Sequence, residues 1–159
     1  MIKNYKVITL CGSTRFKDEF LKTQKDLTLK GNIVISVGLF SHSGDDEVWE
    51  NMDEGTLTKT KEMLEDMHKR KIDMADEIFV INVGGYIGES TRSEIEYAKA
   101  HGKKIRYTPV DRPTLDQLGG VMNKVGAEYG LLVSWSGFKS SVEQERGNQF
   151  FKIRLAYSI

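Results

Sequence analysis

The stretch KVITLCGSTRF, residues 6–16, decides the fold. Its first half, Lys6 to Cys11, is short, mostly apolar and β-branched. It lacks the strict alternation of a strand with one wet face, so it suits a strand buried on both sides. Gly12 ends the run, and Ser13 is an N-cap candidate for a helix reaching about Lys30, with Phe16, Phe20, Leu21 and Leu27 on its inward face. Gly31 then serves as the helix stop.

The alternation repeats along the chain. Asn32 to Val37 reads as a second strand, Thr56 to Ala75 as a helix, and Glu77 to Val83 as a third strand. A helix opened by Gly88-Glu89-Ser90-Thr91 runs to about His101, Gly102 stops it, and Lys104 to Thr108 is a fourth strand. Strands alternating with helices imply right-handed crossovers and a parallel sheet. The expected fold class is therefore α/β, an open doubly wound parallel sheet in a Rossmann or flavodoxin-like three-layer arrangement. Residues 38–55, between the second strand and its helix, form a polar loop too long for a plain connection, and such loops are often functional.

Both prolines, Pro109 and Pro113, fall in one short segment and mark a boundary. Residues 1–108 are read as the main domain and 109–159 as a C-terminal α/β extension. The extension holds a helix (114–123), an apolar strand (130–135), a second helix (140–150) and a short strand (151–155). Its pattern fits either more strands on the same sheet or a small unit of its own.

Lys plus Arg number 23 and Asp plus Glu number 23, so the formal net charge is zero. Proteins that coat nucleic acid carry a basic excess, and none is present, so nucleic acid is not an expected partner. Cys11 is the single cysteine and has no internal disulfide partner, which fits a reducing compartment. The first residues lack the length of a membrane span, about 20 residues, and the flanks of a signal peptide. A cytoplasmic protein with no membrane partner is expected.

Ligands of open α/β sheets sit beyond the carboxyl ends of the strands, near the switch in strand order. Three segments reach that edge: Gly12-Ser13-Thr14-Arg15, the loop from Gly38, and Gly84 to Glu94. The first and third run from strand through glycine into a helix start, where free N–H groups favour anions. Gly-Ser at such a turn is also ordinary capping chemistry, and Arg15 reads either as a phosphate contact or as a surface charge. Ser90 and Thr91 precede Glu94 at helical spacings that share one side, with Glu96 facing elsewhere. This pattern admits two readings: a site carboxylate, or a capping box from Thr91 to Glu94. On the helix before the third strand, His68 and Asp73 are acid–base candidates, and a histidine on a charged helix is equally read as solvated. Cys11 reads as core packing. No His or Cys cluster has metal-ligand spacing, so no metal is expected.

Three of these segments together resemble a known family. LCGSTRF (10–16), ADEIFVINVG (75–84) and GESTRSEIEYAKAHGKKI (88–105) are similar to the nucleoside 2-deoxyribosyltransferase-like superfamily, which includes the 2'-deoxynucleoside 5'-monophosphate N-hydrolases. Glu94-Ile95-Glu96-Tyr97-Ala98 resembles that family's E-x-G-Y-A motif. The resemblance implies that Glu94 is the nucleophile in cleavage or transfer at the N-glycosidic bond of a (deoxy)nucleoside or nucleotide. It implies substrate contacts from Gly12, Ser13, Arg15, Gly88, Ser90 and Thr91, with base contacts from the loop carrying Phe40, His42 and Trp49. It implies no cofactor, and a homodimer or higher homo-oligomer, because family sites are often completed by a neighbour. Two positions depart from the pattern: Glu96 replaces the motif glycine, and His68 stands eight residues before Asp76, where the family often has Asp. These departures motivate the alternative of a non-catalytic nucleotide-binding or sensing module of the same fold.

The segment GLLVSWSGFKSSVEQERGNQFFKIRL (130–155) is similar to part of Mrr-like restriction endonuclease-type domains. An Asp…Glu-x-Lys metal-binding set does not accompany it, so nuclease activity is not expected. A nucleic-acid accessory role would rest on this segment alone.

Overall fold

Val7–Gly12 forms strand β1, whose centre is wholly buried, as its mostly apolar run requires. A computed structural model describes residues 2–41, 43–147 and 152–157. After β1 comes a 3-10 turn at Thr14–Phe16, then helix α1 (Lys17–Leu29). Ser13 precedes the turn without a side-chain capping bond. Phe20 and Leu27 of α1 are buried as expected, whereas Leu21 is 51% exposed. It stands one position beyond the Phe20 stripe, outside the buried arc of a 3.6-residue period.

Strand β2 (Ile33–Ile35) is followed by a loop that holds one short helix, α2 (Asp46–Trp49). Helix α3 (Glu54–Met74) starts two residues earlier than the sequence pattern suggests. Asp53 explains this: its side chain accepts from the Thr56 backbone N–H at 3.0 Å and from the Thr56 hydroxyl at 2.7 Å. Strand β3 (Glu77–Ile81) is buried at every position. A 3-10 turn at Val83–Gly85, with Gly84 and Gly85 at positive φ, leads to α4 (Glu89–Ala100), then to β4 (Lys104–Tyr107).

The sheet order is β2-β1-β3-β4, and β1 pairs parallel with both β2 and β3, placing Gly12 opposite Ile81. The protein is therefore α/β with a mostly parallel central sheet flanked by helices. Strand order reverses between β1 and β3, which opens a crevice at their carboxyl ends. The close β1–β3 packing is what demands glycine at position 12. A Cβ there would lie 2.9 Å from the Ile81 carbonyl oxygen and 3.1 Å from the Ile81 Cβ. Ile8, Leu10, Phe20, Leu27, Phe79 and Ile81 form the core beneath the crevice, with Phe40 packed against them.

Glu77 is an acid buried inside this framework. The Glu77 side chain is 2% exposed and ion-paired with Lys6 at 3.0 Å and with Arg106. Burial opposes its ionisation, but the two cations outweigh burial and hold its carboxyl below the usual range.

The chain divides into two units, Met1–Arg106 and Tyr107–Ile159. In the second, Asp111 caps α5 (Arg112–Val125), and Gly126 closes that helix in the left-handed conformation. Strands β5 (Gly130–Ser134) and β6 (Ile153–Tyr157) pair parallel in a two-stranded sheet of their own, joined through α6 (Ser140–Glu143) and a 3-10 turn at Gln144–Gly147. Part of the expected 140–150 helix and the start of the 151–155 strand lie outside the described residues. Among the described residues no helix is long and apolar enough to cross a membrane.

Candidate functional site

A cavity of about 640 Å³ opens at the carboxyl ends of β1 and β3, within the usual range of small-molecule pockets, roughly 300–1,000 Å³. Four segments build it: the turn after β1, the loop after β2, one face of α3, and the start of α4. Gly12, Ser13, Arg15, Trp49, His68, Gly88, Ser90, Thr91 and Glu94 all line it. Asp73 does not. Its carboxylate accepts from the Tyr97 hydroxyl at 2.9 Å and lies 3.7 Å from Arg70, so it ties α3 to α4 away from the cavity. Phe40 packs edge-on against Phe20 at 5.5 Å between centroids and belongs to the core. His42 lies outside the described residues.

Glu94 is the centre of this arrangement. Helix α4 begins at Glu89 with Gly88 as its N-cap and no side-chain capping bond, so Glu94 sits past the first turn. The capping-box reading therefore fails. Thr91 is an interior helical residue, 2% exposed, and the Glu94 carboxylate faces the cavity instead of its own helix start. Ser90, one turn earlier, donates its hydroxyl to Glu94 Oε1 at 3.4 Å. The other oxygen, Oε2, is buried and has no hydrogen-bond partner among the described residues. Burial pushes the carboxyl up to about 7, against the neighbouring Cys11 thiol and the Ser90 hydroxyl, which favour the ionised form.

His68 projects from α3 toward Glu94, with Nε2 3.8 Å from Oε2 and 3.5 Å from the Cys11 sulfur. Burial, followed by the Lys71 charge, brings the imidazole down to about 4, so it is neutral at physiological pH. Burial also raises the Cys11 thiol, and the Glu94 charge adds to that. The deep end of the cavity thus holds a protonated thiol, a neutral imidazole and a carboxyl poised near neutrality.

The mouth is mixed in character. The Arg15 guanidinium stacks over the Tyr86 ring at 4.4 Å, and Lys61 and Lys71 stand on α3 opposite. The Lys71 ammonium donates to the Ser36 carbonyl at 2.9 Å, tying the helix to the end of β2. The Trp49 indole N–H is buried without a hydrogen-bond partner among the described residues.

Of the α3 wall, the sequence reading singles out His68 alone, although the whole wall carries a signal. Leu57, Lys61, Leu64, His68 and Lys71 recur at spacings of 4, 3, 4 and 3 and all line the cavity. That stripe is one helical face, hidden from a hydrophobicity pattern by its two lysines and its histidine.

No family model, curated protein or solved structure matches the chain.

Proposed function

We propose that this protein cleaves or transfers at the N-glycosidic bond of a (deoxy)nucleoside or nucleotide through Glu94. The observation that carries the reading is the buried Glu94 carboxylate, one oxygen unpartnered, facing a nucleotide-sized cavity at the strand-order switch. The resemblance of residues 88–105 to the nucleoside 2-deoxyribosyltransferase-like superfamily supports the same chemistry.

The reaction takes two steps, as in retaining glycosidases. The Glu94 carboxylate attacks the sugar C1' as the C1'–N bond breaks. The bonding pair leaves with the base nitrogen, which takes a proton from water in the cavity. A glycosyl ester forms on Glu94. A second water then attacks C1', passing its proton to the hydroxide left by the first step, and the ester C1'–O bond breaks to free the sugar and the Glu94 carboxylate. In transfer, the nitrogen of a second base attacks in place of water and loses its proton to the same hydroxide. Poor solvation of the carboxylate favours attack, and the Ser90 hydroxyl positions Oε1. The free N–H groups opening α4, with Ser13 and Arg15 across the mouth, suit a 5'-phosphate or a sugar oxygen. Trp49 suits the base, with both a ring face and an unused donor.

Incubation with deoxynucleoside monophosphates and free bases, in the presence of a chelator, tests the proposal. Base release or exchange by the native protein and its loss in Glu94→Gln are expected. A nucleotide that stabilises the protein yet emerges unaltered would instead favour the binding-module alternative.

A further inference from the structure

The floor of the cavity has a second chemical capacity. Cys11 Sγ, His68 Nε2 and Glu94 Oε2 come from β1, α3 and α4, and one ligand atom from each lies within 4.8 Å of the others. We propose that these three side chains form a binding site for a thiophilic divalent cation of the zinc class, open toward the cavity.

Two of the three separations fit such an ion, and the third, between sulfur and carboxylate, lies within 4.8 Å. With Zn–S about 2.3 Å and Zn–N or Zn–O about 2.0–2.2 Å, tetrahedral donors lie about 3.4–3.6 Å apart. The sulfur–nitrogen separation is 3.5 Å, and the nitrogen–oxygen separation of 3.8 Å is only a few tenths wider. The charges also fit: a thiolate and a carboxylate offset a divalent cation, with a neutral imidazole as third donor. That neutrality matters because an uncompensated charge in a buried site is costly. The group does not satisfy itself, since Glu94 Oε2 has no hydrogen-bond partner among the described residues. Sulfur and imidazole donors select zinc, cobalt or cadmium over magnesium or calcium. His68 and Glu94 line the cavity and Cys11 is fully buried against them, so an ion enters from the cavity and keeps its fourth position on that side.

Binding is an exchange of protons for metal. The thiol proton, and the carboxyl proton where present, leave to solvent as metal–sulfur and metal–oxygen bonds form. If Glu94 is the nucleophile proposed above, its ligation occupies the attacking carboxylate. The cation is then an inhibitor of turnover, a consequence that rests on that reading while the site itself does not.

Cobalt(II) is the probe. Cys11 is the only cysteine, so a thiolate-to-cobalt charge-transfer band reports on this residue alone. The native protein, titrated under a non-thiol reductant, should develop the band, and added Zn²⁺ should bleach it. Cys11→Ser should abolish it. Glu94→Gln and His68→Gln should each weaken cobalt binding at least about tenfold, since loss of even an outer-shell partner costs about 10–100-fold. A folded native protein without the band overturns the site. Unchanged affinity in both Gln variants overturns the three-ligand assignment. Base release is measured separately with chelator present, so a failed spectrum and a failed turnover identify different errors.

Discussion

His68 Nε2 lies 3.8 Å from Glu94 Oε2, a separation at which the two pair only if the ring is protonated while the carboxyl is ionised, and burial disfavours both charged forms. Burial brings the imidazole down to about 4 and the carboxyl up to about 7. Between those values both are neutral, and above the upper one a carboxylate stands beside a neutral ring. Each group avoids charge because the cavity floor solvates charge poorly. A nucleophile needs the opposite state, so ionisation of Glu94 gates the chemistry.

Turnover should therefore rise with pH. In chelator-treated protein, kcat/KM for base release is expected to climb through an ascending limb near pH 7 and then level off. Ser90→Ala removes a donor that favours the carboxylate, so the limb should move to higher pH. A limb near pH 4, or one unmoved in Ser90→Ala, would show that another group controls the rate.

The same burial has a stability consequence. A carboxyl raised from the ordinary 4.5 to about 7 makes the folded state hold its proton longer than the unfolded chain. Stability is then lost as pH climbs from about 4.5 to about 7. Glu94→Gln removes that loss, so it should stabilise the protein by about 1–3 kcal/mol at pH 8 and by little at pH 4. Urea unfolding at the two pH values measures it, and equal effects at both would contradict the assigned burial.

Trp49→Phe keeps an aromatic face and deletes the unused indole donor. If that N–H meets the base, KM should rise about 3–10-fold with kcat nearly unchanged, the value of one neutral hydrogen bond. Kinetic constants indistinguishable from native would place the base elsewhere.

Glu77 predicts a purely structural effect. Glu77→Gln strips the charge from a side chain that is 2% exposed and paired with Lys6 and Arg106. A loss of roughly 1–3 kcal/mol is expected, because the buried side chain loses its charge-assisted hydrogen bonds while the half-exposed cations return to water. Because the native carboxyl is held low, its contribution is complete above the ordinary carboxylate pKa and fades as pH falls through the lowered native value. A urea midpoint unchanged by the substitution at neutral pH would refute this.

The strands were legible because β1 and β3 carry mostly apolar runs closely followed by glycine turns, and the parallel sheet follows from helices set between strands. Smaller features escaped for local reasons. The α3 start depends on the Asp53 cap, and the tail's separate sheet depends on pairing at a distance, which no local pattern encodes. In the site, the glycine turns and Glu94 stood out by spacing. Residue spacing could not separate capping box from site carboxylate, since that choice turns on where α4 begins. Asp73 looked catalytic from its position, but Tyr97 holds it away from the cavity. Cys11 looked like packing alone, because its neighbours His68 and Glu94 reach it only through the fold.

A covalent sugar on Glu94 is the most direct test. Native protein mixed with a deoxynucleoside monophosphate and quenched rapidly should yield, by mass spectrometry, a peptide containing Glu94 that carries one deoxyribose phosphate, and Glu94→Gln should yield none. Base release that proceeds in Glu94→Gln at the native rate, with no adduct on position 94 in either protein, would contradict the account.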